Sequence, residues 1–215
     1  MNPNSRSIPT MILEGIVTSQ NAGGEWNLAP MGPIVDESMS TLVLRPFQSS
    51  RTYQNLKEHP QGVLHVTDDV LLFAQTVTGQ LQDLPECMPA VRVAGSVLKS
   101  ACRWYEFQVE DIDDSDDRTR IVCHIVYSGR LRDFFGFNRA KHAVLEAAVL
   151  ATRLHILPAE AIQEQYAALR IPVMKTAGQQ ERLAFDLLAT YVQTQLDGNQ
   201  TGPAAAVVQD GDSSE

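Results

Sequence analysis

The period of the apolar residues changes once along this chain, and that change limits the folds open to it. Up to about residue 135, apolar and polar positions alternate in short runs bounded by Gly, Pro and Asn, the pattern of strands. After Gly136 the apolar residues recur every three to four positions, the pattern of helices. Strands first and helices later cannot build a doubly wound parallel sheet, which interleaves them. The expected fold is therefore α+β, with an antiparallel β domain over residues 10–135 and a helical segment over 136–196. Residues 1–9 are polar and proline-punctuated, and residues 197–215 have too little apolar content to pack, so both are expected to be loose.

Within the first part, residues 11–19 and 26–35 read as strands about a turn at 21–24. Pro30 and Pro33 interrupt the second, and a proline cannot donate to a ladder, so that strand belongs at an edge or carries a bulge. Residues 41–45 form a third strand, 50–58 a short helix stopped by Pro60, and 62–67 a fourth strand. Residues 71–78 fit strand or helix, and 83–89, with two prolines, read as a loop. From Gly95 the β pattern resumes, with 103–110 answered by 120–127. The aspartate-rich stretch between them lacks the glycine and closing glutamate of a calcium loop and reads as a solvated hairpin tip.

In the second part Asn138 is placed to cap a helix over 139–156, Pro158 opens another over 159–169, and 179–196 form a third. Arg139 and Lys141 at the first of these starts are surface charges or interdomain pairs, or a second anion contact.

One turn concentrates binding chemistry. Arg45, Ser49, Ser50, Arg51 and Thr52 fall within a single span where a helix begins. A helix start presents unpaired N–H groups and the positive end of its dipole, so hydroxyls and guanidiniums there can seat a phosphate. The same residues also suit plain capping by Ser49 or Ser50 with the arginines in solvent, and the local pattern leaves both readings open. His65, on an apolar strand, reads as a hydrogen-bonded core histidine. Asp68 and Asp69 either cap the next element or meet a ligand.

Composition narrows the function classes. A formal charge of −9 with no basic stripe argues against a nucleic-acid partner. Three cysteines without C-x-x-C spacing disfavour a zinc site and a disulfide framework and suit a reducing cytosol. The five histidines form no local pair at metal-ligand spacing, so no metal is expected. No stretch has the length of a membrane span or the apolar core of a signal peptide, so no membrane is expected and a cytoplasmic location is. No Ser-His-Asp set and no Rossmann glycine fingerprint is evident.

Two clusters carry a resemblance. Asn27-Leu28-Ala29-Pro30-Met31-Gly32 resembles the Asn-x-Ala-Pro-aromatic-Ser segment of flavin-reductase-like proteins, and Ser50-Arg51-Thr52-Tyr53-Gln54-Asn55-Leu56 resembles their Lys-Asp-Thr-x-x-Asn segment. The chain is thus similar to the FMN-binding split-barrel superfamily. It is more similar still to a branch of unknown function that joins such a barrel to a helical C-terminal part. That branch carries Ala-Pro-Met-Gly-Pro, Arg-Pro-Phe and Phe-Asn-Arg-Ala-Lys, here residues 29–33, 45–47 and 137–141. The resemblance implies a homodimer with FMN near the subunit interface. It implies that Arg45, Ser50 and Thr52 hold the phosphate, with Ser49 and Arg51 of the same turn as further candidates, and that backbone at Asn27, Ala29, Pro30 and Met31 lines the isoalloxazine. It further implies an oxidoreductase of flavin-reductase type with a nicotinamide or pterin-like partner. The alternative is a non-catalytic FMN-binding or interaction protein, linked to pterin-dependent one-carbon metabolism. Met31-Gly32 stands where the family has aromatic-Ser, and Ser50-Arg51 where it has Lys-Asp.

Overall fold

A computed structural model describes residues 10–81 and 85–200 of the chain. In chain order the elements are β1 (Thr10–Ile12), β2 (Gly15–Gln20), β3 (Trp26–Met31), β4 (Ile34–Asp36), β5 (Thr41–Leu44), α1 (Arg51–Glu58), β6 (Gln61–Val66) and α2 (Val70–Thr78). They continue with β7 (Cys87–Pro89), β8 (Ser96–Leu98), β9 (Arg103–Asp113), β10 (Arg120–Arg130), α3 (Arg139–Ala151), α4 (Ala159–Thr176) and α5 (Gln179–Gln200). Eight strands form one antiparallel sheet in the order β1-β4-β5-β10-β9-β6-β2-β3, and β7 pairs with β8 apart from it.

The two ends of that order are halves of one bent ribbon, which is what curls the sheet. Residues 10–20 pair with residues 26–36 through β1–β4 and β2–β3, and the ribbon turns at 13–14 opposite 32–33. One half then joins β6 at Thr18–Val63, and the other joins β5 at Ile34–Val43. The single strands expected at 11–19 and 26–35 are each broken at this bend. Pro33 has no N–H to give, although its carbonyl accepts from Leu13 N at 3.0 Å. Gly32 lets the ribbon close tightly there, since a Cβ would stand 2.9 Å from Ile12 Cγ2 and 3.0 Å from Glu14 Oε1 and would push those side chains aside. The proline-bearing strand β3 lies at a sheet edge, as its sequence requires. The result is a split β-barrel followed by a helical segment, the α+β fold expected.

Inward-pointing residues of alternate register, among them Val17, Leu42, Leu44, Leu64, Phe107 and Ile121, fill the barrel, and Tyr53 and Leu56 of α1 join them. His65 is wholly buried, its Nδ1 lying 3.0 Å from Ile16 O and its Nε2 accepting from Leu98 N at 3.1 Å. Burial lowers its pKa to about 4, so it is a neutral core residue. Residues 70–78 are helical, with Asp69 accepting from Leu72 N at 3.1 Å as the cap. This helix packs into one apolar cluster with α3, α4 and α5 through Val70 and Ala74, and so ties barrel to helices.

Four stretches differ from expectation. Residues 87–89 form a short strand paired with β8, and the turn between them is tied by Glu106, whose buried carboxylate accepts from the N–H groups of Val91, Arg92 and Val93 and from Trp104 Nε1. Helix α3 ends at Ala151, short of the expected Ile156. Helix α4 runs on to Thr176 through Pro172, because burial of Val173 against the cluster outweighs the hydrogen bond that proline removes. Helix α5 continues to Gln200, into the stretch expected to be loose. The expected loose N-terminus at 1–9, the loop residues 82–84 and the rest of the tail from 201 lie outside the described residues.

Candidate functional site

The turn between β5 and α1 is held by the tip of the β9–β10 hairpin. Pro46 O accepts from Thr119 N at 3.0 Å and from Thr119 Oγ1 at 2.8 Å, and Gln48 N donates to Asp117 O at 2.9 Å. Gln48 Nε2 donates to the carbonyls of Asp114 and Asp116, while Arg118 lies over the Phe47 ring with 5.8 Å to its centroid. On the helix side, Asp114 Oδ2 accepts from Tyr53 Oη at 2.6 Å and from Lys57 Nζ at 2.8 Å. The aspartate-rich tip is thus more than a solvated loop: its backbone and one carboxylate fix the turn that precedes α1.

This frame orients the residues singled out for phosphate. Ser50 caps α1, its Oγ accepting from Tyr53 N at 3.2 Å, and retains its own O–H to donate. Thr52 is buried, and its Oγ1 accepts from Asn27 Nδ2 at 3.1 Å, which joins the helix start to β3. Arg45 is half-buried, and its Nε is a buried donor with no hydrogen-bond partner among the described residues. Such groups are rare because each costs about 1–3 kcal/mol of desolvation. Ser49 is exposed on the turn. Arg51 is exposed and lines a shallow concavity of about 290 Å³ with Asn21, Glu25 and Glu58. Its acidic neighbours make Arg51 the weakest anion contact of the five.

Asn27, Ala29, Pro30 and Met31 all lie on β3, half-buried, with Ala29 opposite Val17 and Met31 opposite Gly15 of β2. As β3 is the last strand of the sheet, its outer edge has no strand partner among the described residues. Asn27 is the residue the structure brings into contact with both groups, strand and helix start. The edge offers main-chain donors and acceptors, and the capped turn offers hydroxyls, a guanidinium and a helix N-terminus. Together they suit a planar heterocycle that carries a phosphate.

A second charged cluster lies where β6 meets α2. The Asp68 carboxylate, 7% exposed, accepts from Arg132 and from Phe135 N at 2.8 Å. Burial would raise this carboxyl, but Arg132 and the Phe135 N–H bring it down to about 2. Lys141 Nζ donates to Asp68 O at 2.7 Å and pairs with Glu181 at 3.0 Å, and Gln180 Nε2 donates to Asp69 at 2.9 Å. Asn138 caps α3 by accepting from Ala140 N and Lys141 N, and the Lys141 ammonium is engaged by Glu181 of α5 and by the Asp68 carbonyl of the barrel rather than left for an anionic ligand. Asp68 and Asp69 therefore cap and clamp. Sequence reasoning named Asp68, Asp69 and Lys141 one by one but not the partners Arg132, Gln180 and Glu181, and it gave no role to Phe135 and Phe137, 83% and 94% exposed on the connection to α3. The run of Phe134, Phe135 and Phe137 was visible in the sequence but belongs to neither period.

Among the described residues no group of three or more His, Cys, Asp or Glu could hold a metal ion, and no helix is long and apolar enough to cross a membrane. The three cysteines are unpaired.

Comparison with known proteins bears on the whole chain. A crystal structure of an FMN-bound protein from Methanosarcina mazei, of the DUF447 family, has a TM-score of 0.70 at 24% identity, with 88% of this chain and 100% of that chain covered. Flavoredoxin from Methanosarcina acetivorans scores 0.48 at 14% identity over 60% of this chain and 73% of its own. The 2-nitrobenzoate 2-nitroreductase of Pseudomonas fluorescens scores 0.46 at 18% identity over 58% and 66%. No curated protein matches the sequence. Residues 13–132 match the model described as the N-terminal domain of a protein of unknown function (DUF447), and residues 138–190 match a second model of a protein of unknown function (DUF447). With both models matched in chain order, the chain belongs to the DUF447 family of proteins of unknown function.

Proposed function

We propose that this chain is an FMN-binding flavoprotein, a homodimeric oxidoreductase of flavin-reductase type that acts on a small molecule. The observation that carries the reading is Arg45 Nε, a buried donor without a partner among the described residues, on the turn that leads from β5 into the capped helix α1. A phosphate there satisfies it with a charge-assisted bond, and the planar guanidinium suits phosphate oxygens better than an ammonium would. Ser50 and Thr52 add hydroxyl donors, the first turn of α1 adds N–H groups, and the edge of β3 from Asn27 to Met31 orients the ring. The M. mazei family member is FMN-bound, which agrees with this choice of ligand.

Bound FMN would supply the electron transfer itself, so the chain's own groups need only bind and orient it. The β3 edge and the exposed rings of Phe135 and Phe137 on the connection to α3 favour a second subunit that covers apolar surface. The three unpaired cysteines fit a reducing compartment such as the cytoplasm.

Titration of the purified protein with FMN and, separately, with riboflavin tests the reading. FMN is expected to bind at least about 100-fold more tightly, because riboflavin has no phosphate to engage two or more charge-assisted bonds. Equal affinities would contradict the seat. Anaerobic addition of NADH to the FMN-loaded protein then tests turnover: bleaching of the flavin band supports an oxidoreductase. Binding without bleaching by any reductant would favour the non-catalytic alternative.

A further inference from the structure

Two concavities of the barrel wall share lining residues and form one trough. The larger, about 510 Å³, is bounded by Asp69, Gln75, Leu81, Lys99, Ser100 and Gln180, among others. The smaller, about 190 Å³, is bounded by Trp26, Asn27 and Leu28 of β3 and again by Gln75 and Leu81. The trough therefore runs along α2 from β3 toward the start of α5. Its near end includes Asn27, whose amide bonds Thr52 at the proposed phosphate seat.

The chemistry of its walls is specific. Leu71, Leu72 and Leu81 offer apolar area for a flat body. Gln180 is fixed from both ends, with Nε2 donating to Asp69 Oδ1 at 2.9 Å and Oε1 accepting from Lys141 at 3.5 Å. Asp69 Oδ1 also takes Leu72 N, which leaves Oδ2 open to a further donor. The positive charge in the wall, Lys99, is matched by Glu86 at 3.3 Å. With Lys99 so paired and the Asp69 carboxylate in the wall, the lining favours N–H donors over phosphate or carboxylate.

We infer that this trough is the binding site for the second substrate of the flavin, a flat, phosphate-free nitrogen compound that is neutral or cationic and presents N–H donors to Asp69 and Gln75. The link to the flavin rests on the reading in the previous subsection; the trough and its ligand class do not. Apolar contact with the leucines supplies affinity, and the carboxylate and amides supply orientation.

The test uses benzamidine and benzoate, which match in size and differ in charge, titrated into FMN-free full-length protein and followed by NMR. The side-chain amide signals of Gln75 and Gln180, assigned with Gln75→Ala and Gln180→Ala, report the trough. The indole N–H of Trp104, which donates to buried Glu106 at 3.0 Å, serves as an internal control. Benzamidine is expected to shift both glutamine signals and leave Trp104 unmoved, while benzoate at the same concentration shifts neither. Asp69→Asn keeps an acceptor for the α2 cap, so the helix survives, but it is expected to weaken benzamidine about tenfold by loss of a charge-assisted bond. Leu81→Trp, which fills the junction, is expected to abolish the shifts with unchanged FMN affinity. No benzamidine response, or an equal response to benzoate, would overturn the ligand class. With FMN loaded, benzamidine is expected to displace the flavin absorption band; an unmoved band would overturn the link to the flavin. Because the first titration needs no FMN, failure of the trough and failure of the phosphate seat give different results.

Discussion

The molecule contains two charged clusters at helix starts, and they differ in one respect. At the β6–α2 junction every charge has found a partner within the chain: Asp68 takes Arg132 and a backbone N–H, Lys141 takes Glu181 and a carbonyl, and Gln180 takes Asp69. At the β5–α1 turn the backbone is equally well tied, yet the Arg45 Nε donor is left buried and unpaired. Apart from Asp69 Oδ2, which faces the trough, the self-satisfied cluster is explained by holding two parts of the chain together. One that keeps a desolvated donor without a partner gains stability when a ligand arrives. The difference separates a clamp from a seat, although both read in the sequence as charged residues near a helix N-terminus.

The largest expected effect comes from breaking the clamp. Lys141→Ala leaves Glu181, its side chain 9% exposed, without its cation and is expected to cost about 3–5 kcal/mol in chemical denaturation. The double change Lys141→Met with Glu181→Leu is expected to recover most of that loss, as apolar replacement of a buried pair usually does. A loss equally large in the double variant would mean the cluster does more than clamp.

Acid should weaken the barrel through His65 before it protonates the clamp. Its pKa falls from the usual 6.5 to about 4 on folding, because burial disfavours the imidazolium. The unfolded chain therefore binds the extra proton first, and stability present above about pH 6.5 is lost progressively as pH drops toward 4. That span corresponds to about 3 kcal/mol. Asp68 follows only lower, since its folded pKa of about 2 keeps the carboxylate charged down to that range. Denaturant midpoints at pH 7, 5 and 4 check this order. A flat profile between pH 7 and 4 would show that His65 is not the group described.

A smaller effect is expected at the seat's own cap. Ser50→Ala removes the acceptor for Tyr53 N and should cost about 1 kcal/mol of stability. It should also weaken FMN, whereas Ser50→Asp should keep the cap and still repel the phosphate. Equal FMN binding in the aspartate variant would remove Ser50 from the seat.

Local chemistry made much of this legible in the sequence. Ser50 and Asn138 are helix caps because their side chains can reach N–H groups, and Pro30 marks an edge strand because it has no N–H. What stayed hidden depends on distant partners. The bend at Gly32 and Pro33 looks like an interruption until its two strands are seen pairing along one ribbon. The passage of α4 through Pro172 depends on where Val173 is buried, which the helical period does not state. The acid tip reads as solvent-facing because aspartates usually are, and its hold on residues 46–48 is made mainly by carbonyls that carry no sequence signature. The unpaired Nε of Arg45 is a property of packing alone, and so is the trough that joins Asn27 to Asp69.

The most direct measurement is therefore on Arg45→Met, which keeps an unbranched apolar stem and removes the guanidinium. FMN affinity and unfolding free energy of the FMN-free protein are read on the same sample. A loss of about 10- to 100-fold in affinity is expected, the worth of one charge-assisted hydrogen bond, together with stability equal to or above that of the unmodified chain, because a stranded donor is gone. Unchanged FMN binding with reduced stability would contradict the account and make Arg45 an ordinary structural residue.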